Sequence, residues 1–201
     1  MLNMLSEHGV LPLRDKTILD VGCGSGQGLV DFESWGARRQ NLAGIDLLEE
    51  SARLARVRLG TRECAADIRS GNAAELPWPH ETFDIVSQST VFTSILSDGL
   101  RRAIADEMVR VARPGGVILW YDFRVNNPDN QHVRRVGARE IRSLFAGCEM
   151  HLRPITLAPP VARRLVPLSW VTALMLENLR IFNTHYFGVI RLSPRVVRRS
   201  H

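Results

Sequence analysis

Lysine is almost missing from this chain: of its 26 basic residues, Lys16 is the only lysine and the rest are arginines. That scarcity excludes a phosphate-binding P-loop, which needs a Lys directly after its last glycine. It also excludes a Tyr-x-x-x-Lys oxidoreductase, because neither Tyr121 nor Tyr186 has a lysine four residues on. Cysteine is equally sparse. Cys23, Cys64 and Cys148 are odd in number and show no CxxC or metal-like spacing, so neither a disulfide framework nor a metal centre is expected, and reduced thiols fit a cytoplasmic protein. Long apolar runs are absent as well. The best candidate, Trp170 to Phe182, is broken by Glu177, Asn178 and Arg180 and is too short to span a bilayer. Met1 to Val10 contains Glu7 and lacks the basic start and apolar run of a signal peptide, so none is expected.

What the chain does contain is ordinary for a soluble enzyme. Its 201 residues suit one domain, with 45% apolar and 23% charged residues and no repeat or low-complexity tract. The net charge of +5 comes from arginines spread along the whole sequence, which disfavours a nucleic-acid stripe. The densest basic piece is the tail, with Arg191, Arg195, Arg198 and Arg199, read as a solvated end.

The chemistry-bearing stretch is Ile18-Leu19-Asp20-Val21-Gly22-Cys23-Gly24-Ser25-Gly26, with Asp46 closing a second apolar run, Leu42-Ala43-Gly44-Ile45. An apolar strand running into alternate glycines predicts a turn with positive φ, against whose backbone a ligand can lie. In a doubly wound sheet a carboxylate at the end of the second strand meets ribose hydroxyls. The glycine array reads GxGxGxG and not the GxGxxG that seats a pyrophosphate. Asp20, two residues before the first glycine, would repel a pyrophosphate but suits a ligand carrying an ammonium and a sulfonium. S-adenosylmethionine is such a ligand.

Periodicity places these motifs on alternating elements: a helix over 1–7, a strand over 17–22, a helix over 27–35 ended by Gly36, and a strand over 42–46. The helix at 47–59 is expected to bury Leu48, Ala52, Ala55 and Leu59 and to pair Glu49 with Arg53. Strands at 66–70, 83–88 and 116–122, with a helix at 98–111, complete an alternating core, and hence a mostly parallel sheet with right-handed crossovers. Beyond it come a helix at 137–146, an extended piece at 150–158, a break at Pro159-Pro160 and a closing strand at 184–192.

Residues 17 to 123 resemble the small bacterial class I S-adenosylmethionine-dependent methyltransferases. Asp20 to Gly26 and Asp46 are similar to the family's first two motifs, Gly71-Asn72-Ala73-Ala74-Glu75-Leu76-Pro77-Trp78 to its third, Phe83-Asp84-Ile85-Val86 to its fourth strand, and Arg110 to Leu119 to its fifth-strand region. The resemblance implies a Rossmann-like α/β domain over 1–201 with a seven-stranded, mostly parallel sheet whose last strand is antiparallel, residues 124–182 supplying substrate-side and C-terminal elements. It implies S-adenosylmethionine as cofactor, held by Asp20, Gly22, Cys23, Gly24 and Gly26, with Asp46 on the ribose, Leu47 on the adenine face, Asn72 and Ala73 at the adenine edge, and Gln88 on the path to substrate.

The sulfonium is already a strong methyl donor, so the protein has mainly to align a nucleophile in line and exclude water. The expected reaction is methyl transfer to a small polar metabolite, at oxygen. A hydroxyl acceptor would need a base, for which Asp122, His132 and His185 are candidates. Many relatives carry an acidic-His pair after the fourth strand, where this chain has Thr93-Ser94. Thr93, Arg124 and Asn126 are the expected substrate contacts, Arg124 as a fork for an anionic group; Asn127 shares that loop. An RNA methyltransferase and a non-catalytic cofactor-binding subunit stay open, and so does a homodimer. Only about 16 residues precede the first strand, fewer than the resemblance implies, so an open site of modest cofactor affinity is expected.

Overall fold

A computed structural model describes residues 1–60, 65–126, 130, 132–157 and 183–193. The elements run α1 (Leu2–Glu7), β1 (Ile18–Val21), α2 (Gln27–Ser34), β2 (Leu42–Asp46), α3 (Glu49–Leu59), β3 (Asp67–Ser70), β4 (Phe83–Ser89), α4 (Asp98–Val111), β5 (Ala112–Phe123), α5 (Ala138–Leu144), β6 (Glu149–Leu157) and β7 (Asn183–Arg191). Seven strands form one sheet in the order β3-β2-β1-β4-β5-β7-β6. The first five pair with one another in parallel, and β7 is antiparallel to both β5 and β6. This is the expected α/β sheet. Cys64, Asn127, the Trp170–Phe182 segment, the Pro159-Pro160 break and the tail arginines 195, 198 and 199 lie outside the described residues.

Helices cover both faces, which is why β1 reads as an apolar run and is buried at every position. Ile18, Val117, Leu119 and Val189 pack with Leu5, Leu29, Phe32, Ala52 and Ala55 on the α1–α2–α3 face. Leu19, Val86, Ile118, Trp120 and Ile190 pack with Ile104, Met108, Ile141 and Leu144 on the α4–α5 face. Alternation along the strands divides the two cores. No helix among the described residues is long and apolar enough to cross a membrane.

Two expectations are corrected at α3. Leu48 is 64% exposed, because it precedes the first helical turn in an extended conformation and so misses the stripe that buries Ala52, Ala55 and Leu59. Glu49 does not pair with Arg53. Arg53 reaches Glu50 at 2.8 Å, while Glu49 binds Arg56, whose Nε also donates to the Ile68 carbonyl and straps α3 to β3. The tertiary strap outcompetes the local pairing.

A third difference concerns β5, which begins at Ala112 and so takes in Arg113, Pro114 and Gly115 ahead of the expected start at Gly116. Pairing jumps from Phe83↔Ala112 to Ile85↔Val117, so the stretch is a bulge within the ladder. Gly115 has φ +76°, and a Cβ on Gly116 would lie 2.8 Å from the Arg113 carbonyl oxygen and 2.9 Å from that of Asp84. Backbone cannot yield as a side-chain tip can. Gly116→Ala should therefore cost about 1–3 kcal/mol, read as a lower urea midpoint with an unchanged slope; an unaltered midpoint would show that the bulge is not this tight.

Candidate functional site

Parallel pairing sets three strand ends side by side: Val21 is level with Ile45 on one flank and with Gln88 on the other. The turn after β1 is hung from β2, since Gly22 N and Cys23 N both donate to the Ile45 carbonyl, at 2.8 and 3.0 Å. Asp46 then braces it. Its Oδ2 accepts from Gly24 N at 2.9 Å, its Oδ1 from Leu48 N at 3.0 Å, and its carbonyl from Gly71 N at 2.9 Å. A carboxylate offers about four acceptor sites, so two remain for a diol.

The glycines of the turn differ in what they permit. Gly22, Gly24 and Gly26 all have positive φ, as expected. Only Gly24 opens onto free space, with nothing within 4 Å of where a Cβ would stand. At Gly22 a Cβ would lie 2.3 Å from Val91 Cγ2, and at Gly26 it would press on Ala55 and Leu59 at 3.1–3.3 Å. Gly22 and Gly24 both line the cleft that opens here, while Gly26 does not: its missing side chain lets α2 approach α3, and that of Gly22 admits Val91. A fourth glycine escaped notice in the sequence. Gly28 would place a Cβ 2.8 Å from Asp20 Oδ2, so its hydrogen is what makes room for that carboxylate beneath α2.

Asp20 is 5% exposed and accepts from Ser87 Oγ at 2.7 Å. Burial raises its carboxyl to about 6, with Asp46 and Asp31 adding to the shift. The Cys23 thiol is pushed up to about 12 by burial beside Asp20 and Asp46, so it is no nucleophile and fills space against Gly44. A cleft of about 380 Å³ opens here. Its lining combines polar residues, Asp20, Ser87, Gln88 and Ser89 among them, with apolar ones that include Leu5, Phe32, Trp35, Leu119 and Phe187.

A family model described as a methyltransferase domain matches residues 18–116, the span that builds this turn and cleft. A probable S-adenosylmethionine-dependent methyltransferase of Mycolicibacterium smegmatis is 38% identical over 145 residues, covering 67% of this chain and 52% of that protein. The phthiotriol/phenolphthiotriol dimycocerosates methyltransferase of Mycobacterium tuberculosis is 35% identical over 132 residues, 66% of this chain and 47% of its own. The chain belongs to the class I S-adenosylmethionine-dependent methyltransferases. It spans about half the length of these two relatives. A SAM-dependent methyltransferase of Methanosarcina mazei shares the fold, with a TM-score of 0.65 at 20% identity over 94% of this chain and 97% of that one.

The cofactor this family membership implies, S-adenosylmethionine, fits the residues present. Gly24 leaves an open cradle in the cleft that Asp20 also lines, and Asp46 accepts from the Gly24 amide. Leu47 stands 73% exposed beside Asp46, with its apolar surface free. Asn72 is exposed and its Oδ1 accepts from Ala74 N at 3.0 Å, which shapes the turn after β3; Ala73 packs against the core. Gln88 is 2% exposed, accepting from Val91 N at 3.1 Å and donating to the Tyr121 carbonyl, so it fixes the segment that covers Gly22.

The chain does not bring its other expected residues to this cleft. Asp122 is 1% exposed and accepts from the hydroxyl of Thr93 and from the amides of Thr93 and Phe123; burial raises it to about 6. Arg124 donates to the Asn183 carbonyl at 3.0 Å and lies over the Tyr186 ring. Asn126 Oδ1 accepts from Arg135 N at 2.9 Å, and His132 is exposed on the loop, its amide bound to Asn130. His185 is buried, stacked on Tyr121 with centroids 4.6 Å apart, and burial lowers its pKa. Sequence reasoning missed Val91 and the aromatic wall of Phe32, Trp35 and Phe187. Those residues carry no motif and meet only through the sheet.

Asp20 has a folded pKa of about 6, above the ~3.9 of an unfolded chain. Its contribution to stability is therefore fully present below pH ~4 and is lost as pH rises through 6. Asp20→Asn should exceed the wild type in stability by about 2–3 kcal/mol at pH 7 and match it near pH 4. Urea titrations at the two pH values check this, and an equal effect at both would refute the buried-acid account.

Proposed function

We propose that this methyltransferase transfers a methyl group by in-line displacement to an oxygen of a small acceptor lying in the glycine cleft. The open face of Gly24, which lines that cleft with Asp20 and has its amide held by Asp46, is the observation that carries the reading. When bound, S-adenosylmethionine supplies an electrophilic methyl group. Asp20, ionised above pH 6, favours its cationic end; Asp46 receives its hydroxyls; Leu47 and the turn at Asn72 and Ala73 flank its base.

The chain's own residues then have to orient the acceptor and exclude water. Ser87 and Ser89 give the cleft hydroxyl groups, and Leu5, Phe32, Trp35, Leu119 and Phe187 give it apolar lining. We therefore read the acceptor as a compact molecule with an apolar body and one polar reacting group. This departs from the anionic metabolite suggested by Arg124 and Asn126, neither of which lines this cleft. On the same reading Asp122 and Thr93 hold the loop after β4 against β5 and do not touch the reacting atoms. The protein's place is the cytoplasm, with a small molecule and not nucleic acid as partner; sedimentation would decide between monomer and homodimer.

Calorimetry with S-adenosylhomocysteine tests the cofactor half: binding is expected, and Asp46→Ala should weaken it by about tenfold or more. Affinity should also fall as pH drops below 6, and Asp20→Asn should remove that dependence. No binding by the wild type would sink the proposal. Binding without release of S-adenosylhomocysteine across a panel of small hydroxylated acceptors would favour a cofactor-binding subunit instead.

A further inference from the structure

A second concavity, of about 750 Å³, lies between α4, α5 and the chain around Asn126 and residues 134–137, and it shares no lining residue with the glycine cleft. Arg101, Arg102, Arg134, Arg135 and Arg139 line it against two carboxylates, Asp98 and Glu140. Three positive charges are left uncompensated in one concave surface.

The five guanidinium groups divide into two sets. Arg101 is fully buried and donates to the carbonyls of Ile95 and Arg134 and to Glu140. Arg102 donates to the carbonyls of Ser143 and Leu144, both at 2.7 Å. Arg134 pairs with Asp98 and Glu140, yet its Nε is buried with no hydrogen-bond partner among the described residues. These three are held in place by the fold. Arg135 and Arg139 are exposed, and neither side chain has a hydrogen bond or ion pair among the described residues. Asn126 also lines the cleft, and with its Oδ1 taken by the Arg135 amide its Nδ2 remains a donor.

Like charges gathered in a concave, partly dry surface raise one another's energy, and a multiply charged anion relieves that cost. A single carboxylate would neutralise one of three charges. Tetrahedral phosphate groups accept from several guanidinium forks at once and match the residual charge. We propose that this cleft binds a phosphate-bearing ligand, closed over by Arg135 and Arg139 on a wall pre-set by Arg101, Arg102 and Arg134. The chemistry is shared by soluble phosphate esters and phospholipid headgroups. It does not depend on the methyl-transfer reading, because no residue is common to the two sites.

Titration of the whole protein with inorganic pyrophosphate at low ionic strength should show binding that weakens as KCl is raised. Arg135→Ala/Arg139→Ala removes only exposed side chains, so the fold is safe, and it should weaken pyrophosphate by about tenfold or more while leaving S-adenosylhomocysteine affinity unchanged. Arg142→Ala, an exposed arginine outside the cleft, should have no such effect. Sedimentation with phosphatidylglycerol-containing vesicles separates the sources: vesicle binding lost in the double variant assigns a headgroup, and no vesicle binding assigns a soluble ester. Absence of pyrophosphate binding, or binding that the double variant retains or that Arg142→Ala weakens equally, would overturn the proposal.

Discussion

The Asp46 carboxylate is the joint on which the cofactor side of this protein depends. Through two oxygens and its own carbonyl it ties the turn after β1, the start of α3 and the segment after β3 to the end of one strand. A loop of glycines has little conformational preference of its own. Without an acceptor at this point the amide of Gly24 would be one more mobile donor. With it, the one glycine of the turn that faces open space is held still, and preorganisation of that kind reduces the ordering cost of binding.

Asp20 works against stability in the same place. A carboxylate under α2, reached only because Gly28 lacks a side chain and answered only by Ser87, is costly to ionise. Folds keep such groups where a ligand's charge repays the cost. The buried pair of Asp122 and Thr93 looks similar by pKa alone, but its hydrogen bonds are satisfied inside the protein and it lies off the cleft. Geometry, and not the shifted pKa, separates a ligand-facing acid from a structural one.

The scarcity of lysine has a structural counterpart. Arginines act as straps in many places: Arg56 from α3 to β3, Arg110 to the carbonyls of Leu76 and Trp78, Arg113 to Asp84, and Arg102 across to α5. Planar forks with several donors can bridge carbonyls and carboxylates together, which a single ammonium does less well. Much of the formal positive charge is thereby used in holding elements together. Arg135 and Arg139, which line the arginine-rich cleft, have no such strap among the described residues.

Much of the fold was legible in the order of residues alone. Apolar runs ending in glycine or aspartate, alternating with helical periodicity, located every described strand and helix to within a few residues, because strand burial on both faces and helix amphipathicity are local properties of sequence. The turn at Gly22 to Gly26 and its partner Asp46 were legible for the same reason, since positive φ and a strand-end carboxylate each leave a residue type behind. Which glycine leaves open space was not, because Val91, Ala55 and Leu59 arrive from distant elements to crowd two of the three positions. Nor could sequence show that Asp122 is consumed by internal hydrogen bonds, that Arg124 and Asn126 lie off the glycine cleft, or that five arginines from α4, α5 and one loop converge. Residue types and spacings determine what each segment can be; packing decides which polar groups remain free to meet a ligand.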